Sequence, residues 1–319
     1  MPAPNSSFNE LAATTLNNYM PNFAPNIFQE RVLLKWLMQK GNMKPWNGGD
    51  KILTPLEYAK NDQGGNYAGA DIMNTNIPTI GTTAQWEVRQ HYQTVGFTGI
   101  EKRKNREKYQ MVPLIESRIK NAQNSMRDRI NTELCGSQSG IKLEGLGNLV
   151  PQTDTASVGG IDPTVQTWWQ VQGSSIGGFA ANGISKLIDL HLACSRDGEQ
   201  PDFHLTSVTT FAYYEKKMEP RERYLTVSGP TGEELANFGF PYLTFKATPV
   251  FFERAVSNDD WIMLNSNHIF LTYDTDVSFQ MSDFIEPINQ DAALAKILFY
   301  GNLILDKRSV HGRGYSITA

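Results

Sequence analysis

The residues best suited to chemistry form a G-x-S-x-G pattern at positions 173–177. In serine hydrolases this pattern places the serine, here Ser175, on a sharp turn between a strand and a helix, where a histidine and an acid activate it. Candidate acids and bases lie downstream at Asp189, His191, Asp260 and His268. Residues 178–183 separate the pattern from the next predicted helix, which begins at Ile184. This separation favours a flexible Gly/Ser loop over a nucleophile elbow.

Residues that could bind a metal or a cofactor are sparse. His191 and Cys194 lie three positions apart on a predicted helix, which supplies at most half of a zinc site. The five histidines are dispersed, and no phosphate-binding glycine loop or dinucleotide fingerprint occurs. Core packing is the simpler explanation of the His/Cys pair. We therefore expect no catalytic residue, no metal and no cofactor.

The composition describes a chain that can bury a sizeable core but carries no overall basic field. It has 319 residues, of which 40% are hydrophobic, and a net charge of −4, which suits two closely linked domains. Cys135 and Cys194 lack paired spacing, which indicates a reducing compartment. The longest apolar stretch, 292–305, contains Lys296 and is shorter than the roughly 20 residues of a membrane span. We expect no signal peptide and no membrane partner.

Residues 50–100 predict a long two-stranded ribbon. A strand-like run at 51–60 leads to a polar, Gly-rich tip at 61–83, and a strand with strictly alternating side chains follows. One face of that second strand carries Trp86, Val88, Gln90, Tyr92 and Thr94. An isolated ribbon is only marginally stable in water, so a neighbouring copy is the simplest cover. Tyr58, Trp86 and Tyr92 are therefore candidate contacts between subunits.

A long amphipathic helix follows the ribbon. It is predicted to begin near Val112 and to end at Gly136, and Pro113 suits its first turn. Its apolar stripe recurs at spacings of three and four residues, at Ile115, Ile119, Ala122, Met126, Ile130 and Leu134. At about 1.5 Å per residue the helix spans roughly 30 Å, the width of a small domain.

A long ribbon followed by a long helix resembles the extended loop and spine helix of tailed-phage major capsid proteins (the HK ninety-seven type). The remaining segments fit the same order. The Gly-Gly-Ile-Asp run at 159–162 and the pair Trp168-Trp169 resemble the entry to an axial domain. The apolar strand at 293–305 resembles the strand that closes the sheet beneath the spine helix.

The resemblance implies an α+β fold with an N-terminal arm, an extended two-stranded loop, a spine helix with a peripheral-domain sheet, and an axial α/β domain. The implied boundaries are 1–49 for the N-terminal arm, 50–100 for the extended loop, 101–144 for the peripheral domain with the spine helix, 145–276 for the axial domain, and 277–319 for the C-terminal return to the peripheral domain.

The N-terminal segment is predicted to be an arm. Four prolines interrupt residues 1–26, and an apolar stripe follows at 27–37. Phe8 and Trp36 are the candidate aromatic anchors, because large apolar side chains on an exposed arm make sense if the arm packs on a neighbour. The alternative is that these helices cover the core of their own subunit.

Two charged clusters are further candidates for contacts between subunits. The first, at 101–108, contains Lys102, Arg103 and Arg106 at the root of the ribbon, where it could form ion pairs between subunits, contact packaged DNA, or simply be a solvated turn. The second, at 216–224, contains Arg221 and Arg223. Its mixed signs favour a contact between subunits over nucleic-acid binding.

The resemblance implies a structural protein, not an enzyme: a major capsid subunit that assembles as pentamers and hexamers into an icosahedral shell around double-stranded DNA. Implied partners are other copies of the chain, a separate scaffolding protein, a portal, an optional decoration protein, and packaged DNA through non-specific contacts. The implied location is the virion, after assembly in the host cytoplasm. A serine hydrolase using Ser175, and another oligomeric virion component such as a tail or decoration protein, stay open as alternatives.

Overall fold

The computed structural model describes residues 31–74, 76–104, 114–218, 243–257 and 259–319. In chain order its helices and strands are α1 (Val32–Gln39), β1 (Met43–Trp46), β2 (Lys51–Glu57), β3 (Gly81–Glu87), β4 (Arg89–Thr98), α2 (Gly99–Lys104), α3 (Leu114–Cys135), α4 (Leu146–Leu149), β5 (Gln172–Gly178), α5 (Ile184–Cys194), β6 (Phe203–Thr206), α6 (Val208–Met218), β7 (Leu243–Phe245), β8 (Thr248–Phe252), β9 (Trp261–Leu264), β10 (Ile269–Asp274), β11 (Ala292–Leu305) and β12 (Gly312–Thr318). This mixture confirms the predicted α+β class.

The predicted spine helix is present as α3. Ala122, Met126, Ile130 and Leu134 of its stripe are buried, each with 4% exposure or less, and the helix packs against β4. After the helix ends, the chain passes close to its last turn at Gly145. A Cβ atom at this position would lie only 2.4 Å from the Glu133 carbonyl oxygen. A side chain at position 145 would therefore push the following segment away from the helix.

A four-stranded sheet lies beneath this helix, in the order β1-β10-β11-β4. The long strand β11 pairs with β4 through residues 292–301 and with β10 through residues 301–305. In the first half, buried and exposed side chains alternate, so Lys296 faces solvent; in the last five residues every side chain is buried. The strand therefore runs from a half-solvated part of the sheet into a part that is buried on both faces.

A six-stranded sheet forms the second layer, in the order β5-β12-β9-β6-β8-β7. Its own apolar cluster includes Leu187 and Leu190 of α5 and Tyr214 of α6. The placement of β12 corrects a predicted boundary. Residues 277–319 do not all return to the peripheral sheet, since β12 pairs with β5 and β9. The C-terminal strand thus lies inside the six-stranded sheet, between β5 and β9. β10, assigned by sequence to the axial domain, belongs to the four-stranded sheet.

The second predicted ribbon strand is two strands in different sheets. β3 ends at Glu87 and pairs with β2, whereas β4 begins at Arg89 and pairs with β11. The Asn302 side-chain amide donates to the Glu87 carbonyl oxygen at 2.8 Å, at the point where the chain changes sheets. The buried face shifts by one residue at this change of partner: it carries Ala84 and Trp86 in β3 but Val95 and Phe97 in β4. Trp86 and Tyr92, predicted to share one face of a single strand, therefore lie on a buried face and on an exposed face.

Candidate assembly surfaces

Helix α1 is part of the subunit core. Trp36 is 0% exposed, and its ring stacks on Phe203 with centroids 4.2 Å apart. The backbone N–H of Val32 donates to a carboxylate oxygen of Glu253 at 2.9 Å, which ties the start of the helix to a distant segment. Trp36 is therefore not the anchor of an arm that packs on a neighbour; the alternative, covering its own core, holds for this helix.

The base of the ribbon is also covered by its own chain. Trp86 is 3% exposed, and its indole N–H donates to Thr54 Oγ1 at 3.1 Å. Gly159 has φ +63° and packs closely on Ala84 and Trp86, while its carbonyl oxygen accepts from the Gln85 N–H at 2.9 Å. The expectation that a neighbour must cover Trp86 is therefore wrong, because residues near 159 do so within the subunit.

Tyr58 marks the point where this cover ends. Its hydroxyl donates to the Thr79 carbonyl oxygen at 2.9 Å, which closes the ribbon beyond the last ladder pair. Its ring stacks on Trp168 at a centroid distance of 5.8 Å, yet 37% of Tyr58 stays exposed. Trp168 in turn lies against the buried Trp169, with ring centroids 5.5 Å apart, so Tyr58 is the outer member of this aromatic group.

The ribbon tip beyond Tyr58 exposes apolar side chains, contrary to the polar tip predicted. Ile72 is 99% exposed and Ile77 95%, and Tyr67 and Met73 are more than half exposed. The hydrogen bonds recorded here are local, such as the Ala68 N–H donating to Asp71 at 2.9 Å. A projecting segment that holds several large aliphatic groups in water is a candidate contact surface.

A second surface runs between β4 and the spine helix. Tyr92 is 66% exposed there, as its assignment to a contact surface requires. Beside it, His91 Nε2 lies 2.8 Å from a carboxylate oxygen of Glu133, which also accepts the Leu143 N–H at 3.1 Å. Burial alone would raise the pKa of Glu133, but the His91 hydrogen bond and charge and the Leu143 bond together hold the pKa below its ordinary value.

The first charged cluster divides into a paired and an exposed part. Glu101 forms a bidentate pair with Arg118, with distances of 2.9 and 3.1 Å. The hydrogen bond from Arg118, followed by that from the Thr98 backbone, lowers the pKa of Glu101 to about 2. Lys102 and Arg103 are exposed on α2, as expected for contact candidates. Phe8, Arg106, Arg221 and Arg223 lie outside the described residues.

A charged network joins the two connections between the sheets, from β9 to β10 and from β11 to β12. His268, between β9 and β10, has Nδ1 2.7 Å from Asp306 and Nε2 2.7 Å from Glu199. Ionised carboxylates only accept hydrogen bonds, so both ring nitrogens donate and the imidazole is cationic. Burial by itself lowers the pKa of His268, but the two carboxylates outweigh it and raise the pKa. Lys307 completes the network, 3.1 Å from Glu199.

Two buried arginines hold the entry to the axial domain. Arg308, with 0% exposure, donates to the carbonyl oxygens of Leu149 and Trp169 at 3.0–3.1 Å and pairs with Asp154 at 2.9 Å. Arg313 pairs with the fully buried Asp260. Sequence reasoning missed both, because an isolated arginine at the end of an apolar strand looks like a surface residue; only the carbonyl groups of a distant segment make its burial tolerable.

The geometry gives no support to the hydrolase alternative. Ser175 is exposed in the middle of β5, which pairs with β12, so the predicted flexible loop is instead a strand. The turn to α5 comes only at Phe179–Gly183, after the serine rather than at it. Among the described residues, no group of three or more His, Cys, Asp or Glu side chains is arranged so that it could hold a metal ion. His191 and Cys194 are both buried in the axial domain. None of the helices described combines the length and apolar character of a membrane span.

Comparison with known proteins finds likeness in structure only. No protein-family model matches the sequence, and no curated protein matches it either. The capsid of cyanophage A-1(L) is similar with a TM-score of 0.70 at 15% identity, covering 95% of this chain and 98% of that chain. The capsid of the native GTA particle has a TM-score of 0.65 at 11% identity, with coverages of 99% and 100%.

A third similar structure is the holo-SrpI encapsulin complex from Synechococcus elongatus. Its TM-score is 0.59 at 14% identity, and the match covers 93% of this chain and 92% of that chain. In all three the likeness spans nearly the whole of both chains. It therefore includes the ribbon, the spine helix and both sheets, and not one shared domain alone.

Proposed function

Since the chain has the tailed-phage capsid fold, we propose that it is the major capsid subunit of an icosahedral shell, assembled from pentamers and hexamers around double-stranded DNA. The observation that carries this proposal is the ribbon tip. Its exposed Ile72 and Ile77 project from a subunit whose other large apolar groups are mostly buried. In a fold shared with shell-forming chains, this uncovered surface is best explained by contact with another copy.

The proposed mechanism is geometric and structural, not enzymatic. Each subunit makes contacts through projecting segments attached to a rigid body, so one fold can accommodate the slightly different neighbours of a pentamer and a hexamer. Each contact can be weak, because a closed shell multiplies contacts that reinforce one another. The proposal also includes two protein partners, a scaffolding protein and a portal, and non-specific contact with packaged DNA. It places the protein in the virion.

Imaging of the purified protein tests the proposal. We expect wild-type protein to form closed shells by negative-stain microscopy, and a variant lacking residues 64–80 to stay a folded, non-assembling subunit with cooperative thermal unfolding. Nuclease-protected DNA in particles from cells expressing the packaging partners tests the cargo. Wild-type protein that forms only rings, tubes or small discrete particles across conditions would overturn the capsid assignment.

A matched control separates assembly from folding. Leu192 on α5 is 59% exposed, so Leu192→Ser removes an exposed aliphatic group outside the ribbon. We expect Leu192→Ser to retain shell formation, whereas the tip deletion abolishes it. If both variants lose shells equally, the effect is a general loss of exposed apolar surface, and the specific role of the tip is wrong.

A further inference from the structure

One end of the four-stranded sheet carries an exposed apolar patch. Thr98 pairs with Ala292, and the Gly99 N–H donates to the Asp291 carbonyl oxygen at 3.1 Å, so α2 and residues 281–294 lie together at this end. The exposed aliphatic side chains are Ile288 at 103%, Ile285 at 67%, Ile100 at 58% and Leu294 at 43%. We call these four residues the sheet-end patch.

Charges of opposite sign border the sheet-end patch. The cations are Lys102, Arg103 and Lys104 of α2, and the acids are Asp283, Glu286 and Asp291 of the neighbouring segment; all six are exposed. The carboxylate of Asp291 lies against Gly99, at the start of α2. None of the six forms an ion pair with another described residue. The one acid of α2, Glu101, is turned inward to Arg118. The outward charge of the helix is therefore wholly positive.

We propose that the sheet-end patch is a contact between copies of this chain, in which the cationic helix of one copy meets the acidic segment of the next around an apolar centre. The inference deepens the proposed function and rests on it for its place in a shell. A second copy is the occupant that the charges select, because each copy carries both halves of a complementary pair. Nucleic acid would be repelled by the acidic half, and an anionic lipid surface likewise.

In the arrangement that we propose, the two charged halves of one copy meet two different neighbours, so the contact is heterologous. A heterologous contact repeated by rotation closes into a ring of copies and not into a pair. An apolar centre with a charged rim is the arrangement expected of such an interface: the aliphatic groups lose their water on contact, and the rim sets the register and rejects wrong orientations. The proposed contact therefore makes a different kind of junction from the one proposed for the ribbon tip.

Charge reversal tests the contact without disturbing the core. The first variant combines Lys102→Glu with Arg103→Glu, the second combines Asp283→Lys with Glu286→Lys, and the third carries all four changes. The matched control combines Arg196→Glu with Arg254→Glu, two exposed arginines outside the candidate contact surfaces. Shell yield is measured by negative-stain microscopy, the oligomeric state by sedimentation, and the fold of each variant by thermal unfolding.

The expected result is loss of shell yield by roughly tenfold or more in each two-residue variant, recovery in the four-residue variant, and little change in the control. Raising the salt concentration should weaken wild-type assembly toward the level of the reversed variants. Recovery in the four-residue variant is the decisive observation, because a folding defect or an unrelated surface effect would add up and not cancel.

The outcomes separate this inference from the proposed function. If wild-type shells form and both two-residue variants assemble normally, the contact is wrong and the capsid proposal stands. If the wild type forms small rings but never shells, and reversal abolishes the rings, the contact stands and the capsid proposal fails. If the wild type stays monomeric over the full concentration range, both alone and with the scaffolding protein, both proposals are overturned.

Discussion

The spine helix and the ribbon tip carry the same kinds of side chain in opposite surroundings. Met126 is 2% exposed in the helix, whereas Met73 is 59% exposed in the tip; Ile130 is 0% exposed, and Ile72 is 99% exposed. The helix lies on a four-stranded sheet that covers its stripe, while the tip extends past the last pair of its own ribbon. Apolar surface that folding leaves uncovered is available for assembly, so the two regions should fail in different ways when altered.

The sharpest test substitutes the same residue type in both regions. Met126→Asp should prevent folding, because an unpaired charge in the core costs several kcal/mol, about as much as a domain's whole stability. Met73→Asp should leave thermal unfolding unchanged and reduce shell yield. Circular dichroism and sedimentation of the two variants provide the measurement. Soluble, native-like Met126→Asp protein would mean that the spine helix does not bury this face.

Trp36 extends the comparison to the segment before the ribbon. Since its ring is fully buried against Phe203, Trp36→Ala should cost about 3–5 kcal/mol of unfolding free energy. Trp168→Ala is the control, because Trp168 is only partly buried and its ring stacks on the partly exposed Tyr58; we expect it to cost less. Denaturant unfolding compares the two. A Trp36→Ala subunit as stable as wild type that fails only to assemble would restore the arm interpretation.

Buried histidines should make the axial domain sensitive to acid. Burial lowers the pKa of His204 and of His311 to about 3, against about 6.5 in an unfolded chain. Below that value the unfolded state binds protons that the folded state does not, so stability falls as pH drops from about 6.5 toward 3. Each histidine contributes about 1.4 kcal/mol per pH unit within this window. The unfolding free energy at pH 6.5 and pH 4.5 measures it.

Substitution checks the source of this acid sensitivity. His204 Nε2 lies 2.7 Å from Thr248 Oγ1, and Nδ1 accepts from the Trp261 indole N–H at 3.3 Å. In His204→Gln, the unfolding free energy should therefore fall less steeply as pH drops from 6.5 to 4.5. The same variant should be less stable than wild type at neutral pH. An unchanged slope between pH 6.5 and 4.5 would assign the acid sensitivity to other groups.

His268 should show the opposite pH dependence. Its pKa is raised in the folded state, so its stabilising contribution is fully present below about pH 6.5 and is lost as pH rises through the folded value. His268→Gln should cost about 1 kcal/mol near pH 6 and less at alkaline pH. Unfolding at both pH values compares the variant with wild type. A cost that stays constant across this range would contradict a cationic His268.

The smallest expected effect on stability belongs to the ribbon tip. Replacing Ile72 and Ile77 together by serine should change unfolding free energy by less than about 0.5 kcal/mol, since both side chains are already in water. The same variant should lose shell yield. Thermal unfolding and microscopy of one preparation decide both points. A large loss of stability would place the tip inside the subunit core and remove the contrast with the spine helix.

Sequence patterns predicted where helices and strands occur better than they predicted which elements pair or pack together. The stripe of α3 predicted that helix, because its period follows from one covered face, and the apolar run at 293–305 predicted β11. The alternating run through Val88 was predicted to be a single strand, but the chain changes sheets at that residue. Alternation with a period of two does not show which strand is the partner. β5 was missed because glycine and serine have little preference for strands. Pairing with β12 stabilises this segment as a strand despite its composition.

The candidate contacts show the same limit. Trp36 and Trp86 were chosen for their large apolar area, and that area is real, but each is covered by a segment more than 70 positions away, at Phe203 and Gly159. Ile72, Ile77 and Ile288 were not chosen, and they are the more exposed groups. The type of a side chain indicates how much free energy its burial contributes. It does not indicate whether a segment of the same chain or a neighbouring copy buries it.

The sequence by itself determined the buried stripe of the spine helix and the apolar run that forms β11, because these depend on local spacing and residue chemistry. Tertiary structure alone decided which strands share a sheet, that Arg308 and His268 join distant segments, and which apolar groups stay in water. Those outcomes depend on contacts between residues far apart in the chain, and no local period encodes them.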